Sequence, residues 1–360
     1  RSARRRMRER LRARLRALDG LGLRRSLRPL EMVSATRART DGRTVEVFSS
    51  NDYLGLAWDP RVRAAWSGGG SGSSRLISGS RPAHEVLEAA VGEHFGGHAL
   101  VFSSGYQANL AVLTTLFEAG DLVASDRNNH ASIIDGLRLA RADVAIVDHG
   151  VLRDDTAGVV VEGLYSMDGD RLQLRAVPGV LVVDEAHAVG CLGPGGRGVA
   201  ADQGVHADVL VGTFGKAYGA AGAFVVGPPE LKELLVSVGR SFVYTTALAE
   251  PAAAAALVGF RCADDALRAR LADRVRRLRS GLVQLGIEAL GTDHVVPILT
   301  GPRTMAAAAA LFEAGYFVPG IRAPTVPAGR ERLRVSVSAA HTDDAIDGLL
   351  EALDRCCRSS

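Results

Sequence analysis

Lysine is the side chain this sequence withholds. Of 43 basic residues only Lys216 and Lys232 are lysines. Arginine can replace lysine as a surface charge. It does not readily give up its proton, so it serves poorly as an amine nucleophile or base. Each surviving lysine is therefore a candidate for chemistry. Lys232 lies in Pro-Glu-Leu-Lys-Glu-Leu-Leu, a helical pattern with acidic neighbours, and reads as a surface charge. Lys216 follows the apolar run Val209–Thr213 and a Phe-Gly turn, and precedes Ala-Tyr-Gly-Ala-Ala-Gly. An amine at the end of a buried strand among small residues is desolvated, which lowers its pKa. The plainer alternative is a loop lysine that caps a turn.

Two other strings converge with Lys216 at the carboxyl ends of predicted strands, where open α/β sheets bind ligands. Phe102-Ser-Ser-Gly-Tyr-Gln-Ala-Asn joins a strand to a helix through Gly105, and free N–H groups at that helix start favour a phosphate. Leu181-Val-Val-Asp-Glu-Ala-His sets Asp184 at a strand tip with His187 three residues on. A nucleotide-hydrolysing helicase uses a similar string but needs an upstream Gly-Lys-Ser/Thr loop, and none exists here. No further ligands stand at metal-site spacing. Asp184 could instead pair with a pyridinium nitrogen. A Schiff-base lysine, a ring-nitrogen carboxylate and a phosphate-cradling turn together describe a pyridoxal 5′-phosphate (PLP) site. His130, after another strand tip, could stack on a flat ring, or be an ordinary hydrogen-bonding loop residue.

The elements that must position these groups are legible as alternation. Strands are predicted at Ala99–Ser103, Leu122–Ser125, Val144–Val147, Val159–Glu162, Val180–Asp184, Val209–Thr213 and Ala223–Val226. Their uninterrupted apolar character suits strands buried on both faces. Helices are predicted over 83–95, 106–118 and 131–140. The expectation is an α/β fold with a central, mostly parallel sheet flanked by helices and a smaller C-terminal α+β domain. The divisions expected are 1–45, a basic helix and arm; 46–250, a large domain; and 251–360, with helical patterns over 252–286, strands near 294–300 and 332–338, and a helix from 343. Residues Ser67–Ser74 read as a linker or as a loop approaching a ligand. The connections near 148–158 and 171–179 are too short for the usual helical crossover, so irregular chain or lost loop residues are expected there.

With 360 residues, 47% apolar and 23% charged, the chain has globular composition. Apolar runs near 252–259 and 305–312 are too short to span a bilayer, and no secretory leader is visible. Cys191, Cys262, Cys356 and Cys357 form no CxxC spacing. A soluble, cytoplasmic protein without a structural metal is expected. Residues 1–28 carry twelve arginines against Glu9 and Asp19, a net +10, while the rest carries 31 basic and 38 acidic residues, a net −7. Met7, Leu11, Leu15 and Leu18 recur at helical spacing, so the basic segment reads foremost as an amphipathic helix docked on the body. Attraction of an anionic substrate is the alternative. Without interleaved aromatics, no nucleic-acid partner is expected.

Beyond this, the chain resembles the α-oxoamine synthases, a branch of the fold-type-I PLP enzymes, from about Asn51 to His341. The likeness is carried by NDYLGL (51–56), SRLISG (74–79), HEVLE (84–88), FSSGYQAN (102–109), HAS (130–132), YSMDGD (165–170), VDEAHAVG (183–190), GRG (196–198), TFGKAYG (213–219), PTVPAG (324–329) and RLRVSVSAAHT (332–342). SRLISG is most similar to the 8-amino-7-oxononanoate synthase branch. The resemblance implies that Lys216 holds PLP and later acts as base, Asp184 pairs with the ring nitrogen, His130 stacks on the ring, and His187 bonds the ring hydroxyl with Ser166 nearby. It places Gly105, Tyr106 and Thr213 around the phosphate, and Thr246 at the phosphate of a partner subunit, which implies a homodimer with shared sites. Arg334 would hold the amino-acid carboxylate beside Asn51, with Arg322 and His341 as weaker candidates. A guanidinium does match a carboxylate bidentately; spacing alone leaves Arg334 equally readable as a surface charge on an alternating strand.

The implied reaction is decarboxylative condensation of L-alanine with a pimeloyl thioester, of coenzyme A or a carrier protein, in biotin synthesis. Its rivals are a glycine-using synthase of the 2-amino-3-ketobutyrate ligase or 5-aminolevulinate synthase type, a fold-type-I aminotransferase, and a non-catalytic protein that keeps the fold.

Overall fold

The structure, a computed structural model, describes residues 3–358. It opens with α1 (Ala3–Gly20) and a meander of β1 (Glu31–Met32), β2 (Arg37–Thr40) and β3 (Arg43–Val47). Helix α2 (Pro60–Ala64), a π-helical turn at Arg75–Gly79 and α3 (Pro82–Phe95) lead into the alternating region. That region runs β4 (His98–Phe102), α4 (Gly105–Leu116), β5 (Leu122–Asp126), α5 (Ala131–Ala140), β6 (Asp143–Val147), β7 (Gly158–Glu162), β8 (Val180–Asp184), α6 (Val199–Asp202), β9 (Val209–Thr213) and β10 (Ala223–Gly227). The remainder is α7 (Pro229–Val238), α8 (Arg240–Val243), α9 (Glu250–Cys262), α10 (Asp265–Gln284), β11 (Val295–Leu299), α11 (Thr304–Glu313), β12 (Tyr316–Phe317), β13 (Gly320–Ile321), β14 (Arg332–Ser336) and α12 (Asp343–Arg358).

Seven strands form the central sheet in the order β4-β10-β9-β8-β7-β5-β6. Only β10 runs against its neighbours; the pairs from β9 through to β6 are all parallel. Both faces are covered, which is why the strands lack apolar–polar alternation. Val160 and Val182 meet Ala108, Val112 and Ile133 of α4 and α5, while Val159, Val161, Leu181 and Val183 turn to the opposite cluster. Register sets the strand tips side by side: Glu162 lies opposite Asp184, and Asp184 opposite Val211.

The short crossovers are irregular chain. Between β7 and β8 no helix covers the sheet. Leu164, Tyr165, Leu172 and Leu174 cover it instead, and the Gln203 side chain bonds the backbone of Leu172 and Leu174. Edge strand β6 is the exception to two-sided burial: Val144 is 39% and Ile146 72% exposed.

Two expectations change at the amino end. Helix α1 buries no residue, and its stripe of Met7, Leu11, Leu15 and Leu18 faces away from the body. A four-residue stripe flanked by eight arginines on α1 gains little from burial and would desolvate its guanidinium neighbours. After the helix, Arg322 donates to the Gly22 carbonyl and Arg25 to Thr325 Oγ1. The arm also holds strands. Asp41 and Gly42, both at positive φ, turn β2 back on β3, and β3 pairs in parallel with β12. A three-stranded sheet, β11-β14-β13, completes the C-terminal region.

Candidate active site

Four parallel strands deliver polar tips to one edge of the central sheet: Thr213 on β9, Asp184 on β8, Glu162 on β7 and Asp126 on β5. Lys216 stands two residues beyond Phe214, partly buried in the cleft above them. Burial lowers its amine to about 8, against the pull of Asp184 and Glu162, and the Arg334 charge pushes the same way as burial. Among the described residues no hydrogen bond or ion pair engages that amine. Asp184 is tightly held: Oδ2 accepts from Asn109 Nδ2 at 2.7 Å and Oδ1 from the Ala186 N–H at 2.9 Å.

Asn109 does more than anchor Asp184. Its amide also donates to Ser132 Oγ at 2.9 Å, and Ser132 Oγ lies 2.8 Å from His130 Nδ1. His130 caps α5 by accepting from the Ser132 N–H, so its neutral ring carries the proton on Nε2. Its backbone N–H donates to Glu162 Oε1 at 2.7 Å. Glu162 is wholly enclosed; burial, with the Asp184 charge beside it, holds its carboxyl well above the usual range. Asp184, Asn109, Ser132, His130 and Glu162 thus form one hydrogen-bonded network.

His187 is also neutral, pushed well down by burial and by the Lys216 and Arg334 charges. Tyr53 packs on His294 and bridges two candidates. Its hydroxyl donates to Asn51 Oδ1 at 3.0 Å and lies 2.7 Å from His187 Nδ1. The hydroxyl proton being spent on Asn51, His187 donates from Nδ1 and presents Nε2 as an acceptor. Arg334, nearly buried on β14, donates to the Ser166 carbonyl at 2.6 Å and to Ser336 Oγ at 3.0 Å, with two longer contacts to Asn51 at 3.4 Å. The reading of Arg334 as a solvated strand charge does not survive this enclosure.

At the start of α4, Ser104 caps the helix by accepting from the Gln107 N–H. The N–H groups of Gly105 and Tyr106 have no partner among the described residues, and a Cβ on Gly105 would meet nothing within 4 Å. Tyr106 donates to Asp135 and stands edge-on to His130. Thr213 Oγ1 donates to the Gly222 carbonyl at 3.0 Å and retains acceptor capacity only. Thr246 is exposed without a side-chain bond among the described residues, whereas Thr245 accepts from Gln107. Arg322 is outside the cluster, bonded to Gly22. His341 is outside too, buried against Phe48 and bonded to backbone at Val47 and Ser338. Lys232 is no solvated charge: it pairs with buried Glu88 at 3.2 Å.

Asn109, Ser132, Tyr53 and Glu162 are the site residues that the sequence alone did not single out. Three of them stand inside or beside the quoted strings, yet their type and spacing carry no signal. Glu162 alone had one, as an acid closing an otherwise apolar strand. The arrangement fits a flat aldehyde that bears a phosphate: an unpartnered amine, a fixed carboxylate, a neutral imidazole acceptor, and an open helix start with free N–H groups.

Comparison with known proteins agrees with this geometry. The sequence model of aminotransferase class I and II matches residues 43–353. A putative 8-amino-7-oxononanoate synthase of Desulforudis audaxviator is 43% identical over 97% of this chain and 99% of its own. The 8-amino-7-oxononanoate synthase of Anaeromyxobacter sp. strain K is 45% identical over 95% and 94%. Among solved structures, a serine palmitoyltransferase variant from S. paucimobilis with bound PLP-myriocin aldimine superposes with a TM-score of 0.89, at 32% identity over 97% of each chain.

Proposed function

The chain belongs to the aminotransferase class I and II family and to its α-oxoamine synthase branch, and from that premise we propose that it condenses L-alanine with a pimeloyl thioester. The C–C bond forms as the thiol leaves, carbon dioxide is then lost, and 8-amino-7-oxononanoate, a precursor in biotin synthesis, is released. The observation that carries this reading is the unpartnered, low-pKa amine of Lys216 set among Asp184, Glu162 and Arg334.

Lys216 would hold PLP, with Asp184 at its ring nitrogen, His187 at its ring hydroxyl, Ser166 nearby, His130 against its face, and Gly105, Tyr106 and Thr213 around its phosphate. When bound, the cofactor supplies an electron sink for the carbanion at the amino-acid α-carbon. Asn109 and the Ala186 N–H keep the Asp184 carboxylate oriented, so that its charge would hold a proton on the ring nitrogen of a bound cofactor. Lys216, its amine lowered to about 8, would be half deprotonated near that pH and so able to take the α-proton and later return it. Arg334 offers Nη2, engaged only by its long contact to Asn51, to the alanine carboxylate. Arg322 would stand further out on the substrate side.

A homodimer is part of the proposal. Thr246 would reach the phosphate bound in the partner subunit; its exposure, and that of Leu76, Ile77 and Tyr244 nearby in the fold, support a second copy on this face. A cytoplasmic setting accords with the free thiols of Cys191, Cys262 and Cys356; the Cys357 side chain lies outside the described residues. No described helix is long and apolar enough to cross a membrane.

The test is a panel of alanine, glycine and serine against pimeloyl, acetyl, succinyl and palmitoyl thioesters, each offered on coenzyme A and on a carrier protein, with products identified by mass spectrometry. Alanine with pimeloyl thioester should give the highest kcat/KM. A preference for glycine with acetyl or succinyl thioester would move the chain to another α-oxoamine synthase. Transamination without a thioester would remove it from the synthases.

A further inference from the structure

The two irregular connections leave a structural problem. Loop 126–130, between β5 and the start of α5, and turn 165–170, in the helix-free β7–β8 connection, both carry site residues. The first bears His130; the second bears Ser166, whose carbonyl holds Arg334. One side chain from the short β6–β7 connection spans them. His149 Nδ1 lies 3.1 and 3.0 Å from the two oxygens of Asp126, and Nε2 lies 2.7 Å from Asp170 Oδ2. Its ring edge meets Tyr165 at 4.5 Å. Tyr165 in turn bonds Asn129 and the Glu162 N–H.

We propose that His149 is a positioning residue of the active site, a fixed imidazolium that clamps the His130 loop to the Ser166 turn and so holds Arg334 in register for the amino-acid carboxylate. Both carboxylates bond it, Asp126 alongside the Asn128 and Gly150 N–H groups. The Asp126 side chain is fully enclosed. The other oxygen of Asp170 is buried without a partner, so His149 supplies that carboxylate's one side-chain bond among the described residues. The groups facing the imidazole are Asp126 from the end of β5, and Tyr165 and Asp170 from the turn after β7; the Arg127–Asp148 pair stands beside it on the surface. The two carboxylates raise His149 from 6.5 to about 10, burial opposing. The sign follows: the imidazolium persists where an ordinary histidine is neutral, and the stability it contributes is whole below about pH 6.5 and lost as pH rises through about 10. In the same contact Asp126 is lowered, the His149 bond and the Asn128 and Gly150 N–H groups outweighing burial.

The clamp rests on the proposed function only for the choice of assay, and its first measurement needs neither cofactor nor substrate. Imidazole signals of the apoprotein, with His149 assigned by their loss in His149→Gln, should titrate above pH 9 for that residue. Asp170→Asn should bring the midpoint down by more than one unit. In the loaded enzyme His149→Gln should raise KM for the amino acid by about tenfold, the scale of a lost charged hydrogen bond. KM for the thioester should stay within twofold, and His149→Arg, which keeps the cation, should recover most of the loss. Titration of His149 below about pH 7.5 would overturn the clamp. So would an unchanged amino-acid KM in His149→Gln, or Gln and Arg variants that fail equally. If no amino acid and thioester pair is turned over by the unaltered enzyme, the functional reading fails, and the titration still judges the clamp.

Discussion

The molecule contains two lysines beside buried glutamates, and it treats them in opposite ways. Lys232 on α7 donates to Glu88 at 3.2 Å, and Glu88 is also met by Arg75 at 2.8 Å and by the Val101 N–H at 3.1 Å. Every charge there has a partner. Lys216 stands among Glu162, Asp184 and Arg334, feels all three, and bonds none. The first arrangement ties the SRLISG turn and α7 to the middle of α3 and, through Val101, to β4. The second keeps an amine reactive by denying it a partner. What separates a structural lysine from a chemical one here is not burial, since both are partly enclosed, but whether the surroundings complete its hydrogen bonds.

The comparison breaks most sharply at Lys216. Lys216→Ala should lose at least about 10³-fold in kcat, because holding group and base vanish together, and the protein should no longer retain cofactor absorbance through dialysis. Turnover at the unaltered rate would end the functional reading. Next in size is Glu88→Ala. It removes the shared anion of a buried triad and leaves Arg75 and Lys232 facing each other. A cost of about 3 kcal/mol is expected, read from urea unfolding midpoints, with kcat unchanged in the protein that remains folded. A loss below about 1 kcal/mol would show that the triad is ornamental.

How much of this was legible depends on what kind of signal each part leaves. Strands β8 and β9 and helix α5 start and stop where the apolar runs predict, because a strand buried on both faces must be apolar throughout. The β2–β3 hairpin went unread although it carries its own marks, Arg-Ala-Arg-Thr and Arg-Thr-Val-Glu-Val around Asp41-Gly42. Its strands are short and lean on β12, from far along the chain. Lys216, Asp184 and His130 stand out by type and strand-tip position, Arg334 only through the family resemblance, and the structure brings them together. Asn109, Ser132, Tyr53 and His149 stay invisible in one dimension. Each is a hydrogen-bond intermediary whose partners lie 2 to 134 positions away. Such a residue acquires meaning only when strand register sets those partners side by side.

A third test sharpens the electrostatic half of the contrast. Lys216 is lowered from 10.5 to about 8, so its neutral fraction rises about tenfold between pH 7 and pH 9. Labelling of the apoprotein by a small aldehyde with borohydride, followed by peptide mapping, should show modification at Lys216 climbing with a midpoint near pH 8. A midpoint for Lys216 near its unshifted 10.5 would mean that the pocket does not tune its amine. The sign for folding is opposite to that of a salt-bridged lysine: the pocket disfavours the charged form, so this residue costs stability below about pH 8, and the cost is relieved as pH rises towards 10.5.

The smallest expected effect is the most exacting test of the idea that completed hydrogen bonds mark the structural lysine. Lys232→Ala removes one of three donors to Glu88 and leaves Arg75 and the Val101 N–H in place. Lys232 is one-third exposed, so water screens its contribution and the loss should stay under about 1 kcal/mol. Activity should not move, since nothing in the Glu88 triad touches the cleft. A fall in kcat would mean that the SRLISG turn, tied by Arg75 to Glu88, transmits the change to the Thr245–Leu248 segment, to which Ser71 and Ser73 are bonded. In that event the division between the two lysines would be one of degree, and the triad would have to be counted among the groups that position the site.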